Sequence, residues 1–459
     1  MNAGADADGD PADADVAASA ASRPADGGPP VRRLADWDAA RLRDAAAEYG
    51  TPLYLLDVDR VRENARRLRA AFPDADVRYA AKAHTARPTL RALHDEGLGV
   101  ECASAGEVRR ALDAGVPGAD VQYTAVNPPA RDLDAVVEWW RAGDAADVVV
   151  TAGARDTLDR LRERGFDGRL CLRVNPGVGA GHHEKVRTGA DAKFGVPYDR
   201  AADVLAAARD DFEVVGIHAH AGSGISGDDL SAHRELVARL GDLAREVGPL
   251  EFVDVGGGFG VPYREDEPPL DLEAVADATR EALGAVEATL AVEPGRYLVA
   301  DAGVLLTRVN TVKEAGEAVV AGVDAGMTDL LRPAMYDAYH AIRNLDRDGG
   351  TVPLTVAGPV CESGDAFCTD RPAPRPERGD VLAVGNAGAY GYEMASQYNS
   401  RPRPAEVALT GGDVRLVRRR ETLADVTRTE VADGDAASDG AGDGGATSGG
   451  DPAPDEGGR

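Results

Sequence analysis

Between about residue 58 and residue 301, short apolar runs alternate with stretches whose apolar positions recur at helical spacing. Val77 to Ala81, Val148 to Val150, Leu170 to Val174, Val214 to Ile217, Phe252 to Val255 and Leu290 to Val292 predict strands buried on both faces. Asp57 to Ala71, Ala105 to Ala114, Arg155 to Arg164 and Leu230 to Val247 predict helices between and around them. Strand and helix in strict alternation imply parallel strands joined by crossover helices, and roughly eight such units suit a closed barrel. After Arg296 the texture changes to valine-rich segments punctuated by Gly and Pro, namely Gly303 to Lys313, Val319 to Val323, Val352 to Val356, Asp380 to Val384 and Glu406 to Leu409. A second, mostly β domain is expected there, over 302–426. The fold class is therefore α/β, a TIM-type barrel followed by a β domain.

The two ends are rich in Gly, Ala, Asp, Ser and Pro with almost no large apolar side chains, so 1–30 and 427–459 are expected to be disordered acidic tails. The opening MNAGADADGDPADAD lacks the basic start and apolar stretch of a secretory signal, and no apolar run approaches membrane-spanning length, so a cytoplasmic protein is expected. The formal charge of −28 leaves no basic patch for nucleic acid or an anionic membrane. Lysine occurs only at Lys82, Lys185, Lys193 and Lys313 among abundant Arg, Asp and Glu, a surface that suits a salt-rich, halophilic cytoplasm. Cys102, Cys171, Cys361 and Cys368 are widely spread, without a CxxC pair, and predict neither disulfides nor a zinc site.

Five segments carry candidate chemistry. Lys82, in VRYAAKAHT, stands at the end of an apolar strand, where a barrel exposes its catalytic groups. A strand-end lysine is usually a solvated charge; a partly desolvated amine with lowered pKa there would suit a Schiff base with an aldehyde cofactor. GIHAHAGSG, residues 216–224, places His218 and His220 on one face of a strand, which would also suit a metal, but no third ligand is evident. Gly222, Ser223 and Gly224 offer a phosphate backbone N–H groups and a hydroxyl, so an imidazole packed on a cofactor ring is the favoured reading. In DVGGGFG, residues 254–260, Gly256, Gly257 and Gly258 let the backbone approach an anion, or simply make a tight turn. AVEPGRY, residues 291–297, brings Glu293, Pro294, Gly295 and Arg296: a surface ion pair, or a carboxylate for a pyridine nitrogen and an Arg for an anionic group. GPVCESGD, residues 358–365, and GNAGAYGYEMASQYN, residues 385–399, put polar Gly-rich turns into the β region as a site wall.

These segments, together with YAAKAH, RVNPGVGAGHHEKVRTGADAKFG, DAGMTDLLRPAMYDAYH and the run through NSRPRPAEV, resemble the diaminopimelate decarboxylase family in order and spacing from about residue 33 to 425. The resemblance implies an alanine-racemase-like (fold type III) barrel over 58–301 that binds pyridoxal 5'-phosphate (PLP), with 31–57 joining the β domain. It implies that Lys82 carries the cofactor as a Schiff base, His220 stacks on its ring and Glu293 meets its ring nitrogen. Phosphate would lie on Ser223, on Gly256 to Gly258 and on the Gly295–Arg296 turn, with Pro294 and Tyr390 also against the cofactor. Arg296, Arg332, Tyr336, Glu362 and Tyr390 match substrate-holding positions, and Cys361 a proton donor. Cys361 and Glu362 would reach the site from the second subunit of a homodimer. The implied reaction is decarboxylation of meso-2,6-diaminopimelate to L-lysine, the last step of lysine biosynthesis by that route, with no metal.

Two stretches depart from the family pattern: AVNPPARDL, residues 125–133, and TAGARD, residues 151–156. Related decarboxylases acting on ornithine, arginine or carboxynorspermidine are the nearest alternatives, but Arg332 with Glu362 suits a substrate whose far end carries both charges. Alanine racemase would lack CESGD. A non-catalytic PLP-binding protein would lack residues 303–425.

Overall fold

The computed structural model describes residues 29–178, 194–220, 222, 225, 229–316 and 318–431. Most of the two expected tails, Ser223, Lys185 and Lys193 lie outside the described residues.

Leu53–Asp57 (β1) precedes the barrel. Its last residue, Asp57, caps the helix Val58–Ala71 (α2), which follows Ala39–Tyr49 (α1), by accepting from Asp59 and Arg60 N–H. The barrel strands then come in order: Asp76–Ala80 (β2), Gly99–Cys102 (β3), Val121–Tyr123 (β4), Val149–Ala152 (β5) and Arg169–Asn175 (β6), then, after a two-residue extension Val196–Pro197 (β7), Glu213–His218 (β8), Phe252–Asp254 (β9) and Thr289–Val292 (β10). Every neighbouring pair is parallel, β2 joins β10, and β5 joins β6, so eight strands close on themselves. This is the barrel that the alternating pattern predicts.

The closed sheet is filled, as sequence alternation requires. Val149, Cys171, Val215, Phe252 and Ala291, one from each of five strands, form a buried cluster of their own, with Arg78 stacked 4.1 Å over the Phe252 ring. A much larger core lies between the strands and the surrounding helices. Because the barrel is packed at that level, chemistry is confined to the carboxyl ends of the strands.

The β domain holds Gly303–Ala315 (β11), Ala318–Val323 (β12), Ile342–Asn344 (β13), Thr351–Ala357 (β14), Ala366–Pro374 (β15), Val381–Val384 (β16), Ala405–Thr410 (β17) and Asp413–Arg418 (β18). The early strand β1 completes its sheet, antiparallel to β11 and parallel to β17. Burial is the reason: Leu53, Tyr54, Leu55 and Leu56 are at most 3% exposed, because the strand is covered on both faces. The chain thus enters and leaves the barrel through one sheet, which fixes the β domain's loops over the barrel mouth. No helix among the described residues is long and apolar enough to cross a membrane.

Candidate active site

Each of the barrel's charged site residues stands at, or just past, the carboxyl end of a strand. β2 runs into a single tight turn, Ala81–Ala83, that holds Lys82; β3 carries Glu101; β8 ends on His218; β9 ends on Asp254; Glu293 follows β10. Lys82 Nζ lies 2.6 Å from Glu101 Oε2, and the Lys82 side chain is 39% exposed where Glu101 is 2% exposed. Burial disfavours the ammonium, but the Glu101 and Glu293 carboxylates outweigh it, so the Lys82 pKa is raised. The lowered value expected from desolvation alone is thereby corrected: the sequence does not reveal that two acidic strand ends face this amine.

Glu293 is buried, and its Oε2 lies 3.1 Å from His218 Nε2. Burial first, and then Glu101, raise its carboxyl pKa to about 7. Among the described residues its other oxygen, Oε1, has no hydrogen-bond partner, nor have His218 Nδ1 and Asp254 Oδ2. Burial lowers the His218 pKa to about 4, so this imidazole is neutral. His218, Asp254 and Glu293 bring ligand atoms within 4.8 Å of one another.

His220 lies two residues beyond the end of β8 and serves a different partner from His218. Its Nδ1 accepts from Gly257 N–H at 3.0 Å, which leaves the hydrogen on Nε2. Gly256 N–H is likewise engaged, donating to Asp254 Oδ1 at 2.9 Å. The three glycines are needed for close approach. A Cβ on Gly257 would sit 2.2 Å from the Glu293 carbonyl oxygen, and Gly256 and Gly258 both have positive φ, +73° and +106°. Gly295, between Pro294 and Arg296, packs less tightly on Ala80 and Ala83 around Lys82, where a Cβ would lie 3.2 and 3.3 Å from theirs, and Pro294 accepts from Ala80 N–H.

Arg296 continues this wall. Its guanidinium lies 4.8 Å over the Tyr390 ring, and Tyr390 N–H donates to the Ala83 carbonyl next to Lys82. Arg296 and Arg332 each donate to the Tyr263 hydroxyl, at 2.8 and 2.9 Å. Among the described residues neither guanidinium has a carboxylate ion-pair partner. Burial and the neighbouring Arg296 hold the Arg332 pKa down. Arg332 and Tyr336 bound one short helix, Arg332–Tyr336.

Cys361 and Glu362 are exposed. Within this chain they meet Asn399 and Tyr398, and among the described residues no bond joins them to the barrel-mouth groups. Glu101, Asp254, Tyr263 and His340 are absent from the residues that the sequence assigned to the site, and His218 was read there only as a possible metal ligand. The signal for Glu101 and Asp254 was available: a charged residue closing an apolar barrel strand.

A lysine, a buried carboxylate oxygen unpaired among the described residues and a backbone cradle too tight for side chains, all at one barrel mouth, fit what PLP asks of a protein. The observation that tests the fit is Glu293 Oε1: a buried oxygen without a donor, which a ring N–H would satisfy. The family model for the pyridoxal-dependent decarboxylase, pyridoxal binding domain, matches residues 39–300. Diaminopimelate decarboxylase of Methanothermobacter thermautotrophicus is 45% identical over 413 residues, 85% of this chain and 93% of that protein. That of Deinococcus radiodurans is 42% identical, covering 85% and 98% respectively. The crystal structure of diaminopimelate decarboxylase from Helicobacter pylori complexed with L-lysine superposes with a TM-score of 0.78 at 34% identity, covering 84% of this chain and 98% of that one. The chain belongs to the diaminopimelate decarboxylase family, and its cofactor is PLP.

Proposed function

We propose that the protein releases carbon dioxide from meso-2,6-diaminopimelate and leaves L-lysine, the last step of lysine biosynthesis by the diaminopimelate route. The observation that carries this reading is the pair Arg296 and Arg332, two guanidinium groups on one phenol oxygen, without a carboxylate partner among the described residues, beside the lysine turn. A diamine-forming decarboxylase has no use for such a pair, because its substrate brings no second carboxylate. Diaminopimelate brings one, and the L-lysine it leaves keeps it.

PLP, when bound, supplies an aldehyde for the substrate's amine and a ring that accepts the electrons left behind by carbon dioxide. Lys82 Nζ would hold the aldehyde, and Glu101, at 2.6 Å, keeps that amine in place. Glu293 Oε1 would take the ring N–H, and the His220 imidazole, fixed by Gly257, would pack on the ring. Because Gly256 and Gly257 N–H groups are engaged within the chain, the phosphate would be left to the backbone of Gly258 and of the Gly295–Arg296 turn, with Pro294 and Tyr390 closing the wall. Arg332, Arg296, Tyr336 and Tyr390 hold the substrate's far end. Glu362 takes its second ammonium, and Cys361 Sγ delivers a proton to the carbon that lost the carboxylate.

The last two residues come from a second copy of the chain in a homodimer. What supports this is their exposure in one chain and the lack, among the described residues, of any in-chain bond to the site. A cytoplasmic location is supported by the four cysteines being free, and salt adaptation by the −28 charge with four lysines. The test is carbon dioxide release from meso-diaminopimelate, ornithine and arginine side by side with PLP present. Only the first should be turned over, with L-lysine as product. Turnover of ornithine or arginine at a comparable rate would overturn the assignment.

A further inference from the structure

We propose that Tyr263 and His340 are positioning residues that hold Arg332 and Arg296 together as a ready-made receptor for the substrate's far carboxylate; the inference rests on the decarboxylase reading above. Two guanidinium groups beside each other repel, and desolvation makes this worse. Something must therefore hold them before the substrate's negative charge arrives. The Tyr263 oxygen accepts from both, at 2.8 and 2.9 Å. His340, completely buried, accepts from Arg332 Nη1 through Nε2 at 2.9 Å.

The tautomer of His340 follows from its other contact. Nδ1 lies 2.8 Å from the Gly385 carbonyl, which can only accept, so the hydrogen is on Nδ1 and the Nε2 lone pair is left for the arginine. Burial and Arg332 hold its pKa down to about 3, so the ring stays neutral and does not add a third positive charge. The two aromatic rings brace each other edge to face, with centroids 5.4 Å apart.

The Tyr263 loop is itself pinned on several sides. Tyr263 N–H donates to Glu267 Oε2 at 2.7 Å, and Asn386 donates to the Pro262 carbonyl at 2.9 Å. Arg33, from the segment that leads into the β domain, donates to the Arg264 and Glu267 carbonyls at 2.6 and 2.7 Å. Such anchoring from three parts of the chain keeps one phenol oxygen at one point, which an arginine pair needs in order to be preorganised.

Lysine keeps the far carboxylate and cadaverine lacks it, so the two ligands separate this receptor from the rest of the site. In the PLP-loaded enzyme, Tyr263→Phe and His340→Asn should each weaken lysine binding about tenfold, or ~1.4 kcal/mol, while cadaverine binding changes less than about twofold. KM for diaminopimelate should rise more than kcat falls, because the lost contacts act equally on bound substrate and transition state. His340→Gln, whose amide oxygen can reach the Nε2 position, should recover most of the loss. Equal weakening of lysine and cadaverine would reduce both residues to packing and overturn the inference, as would no weakening of either. A wild-type enzyme that binds lysine no better than cadaverine would instead sink the diaminopimelate reading, and the inference with it.

Discussion

A buried carboxyl without a full set of partners costs stability once it ionises, and Asp254 is such a group. It is fully buried, and burial first, then Glu293, raise its pKa from 3.8 to about 7. A carboxyl whose pKa is higher folded than unfolded contributes stability below the unfolded value and loses it as pH climbs to the folded one. Cofactor-free wild type should therefore lose stability relative to Asp254→Asn as pH rises from 5 to 7, by at most about 3 kcal/mol at ~1.4 kcal/mol per unit. Denaturant midpoints of the two proteins at the two pH values check this; a constant gap would contradict it. Lys82 shows the same electrostatics with the opposite outcome. Its amine stays charged because Glu101 and Glu293 face it, so taking up an aldehyde requires that proton to leave first.

At the scale of elements, the lysine turn is welded to the β domain by buried ions. His84 Nε2 bonds Glu406 of β17, and Thr85 N–H donates to Glu393 Oε1 at 3.0 Å. Arg418 of β18 bridges both acids, 2.9 Å from Glu393 and 3.0 Å from Glu406. Arg418→Leu would take the cation from buried Glu406 and half-buried Glu393, leaving them only His84 and Thr85, and breaking a largely buried pair in this way costs up to roughly 3–5 kcal/mol. The expected outcome is a lower denaturant midpoint together with weaker PLP retention, because the turn holding Lys82 loses its anchor; an unchanged midpoint would contradict the account. None of this cluster was legible in the sequence, where His84, Glu393, Glu406 and Arg418 read as scattered polar residues. The strands themselves were legible, for a physical reason. Apolar runs buried on both faces, such as 170–174 and 214–217, have no alternative exposed reading. Gly256 to Gly258 announced a close approach, but not which oxygen they approach, because that depends on Glu293 arriving from β10.

The molecule as a whole carries a formal charge of −28, so its parts repel one another until salt screens them. Raising ionic strength from about 0.1 M to about 1 M shortens the screening length from roughly 10 Å to roughly 3 Å. Melting temperature should rise over that interval, and dialysis into low salt should unfold the protein; a fall in melting temperature with salt would contradict salt adaptation. The proposed homodimer makes a second prediction at this scale. If each site takes Lys82 from one copy and Cys361 from the other, inactive Lys82→Ala and Cys361→Ala chains, mixed and reassembled, should regain about one quarter of wild-type activity by random pairing. A mixture as inactive as its components would place both residues of a site in one chain.

The central claim is that one amine, at the carboxyl end of β2, carries the cofactor. Borohydride reduction of the PLP-loaded enzyme, followed by proteolysis and mass spectrometry, fixes the aldehyde wherever it is bonded. Pyridoxyl label on Lys82 and on no other lysine is the result expected. Label on Lys185, Lys193 or Lys313, or none at all from a fully loaded enzyme, would contradict the account.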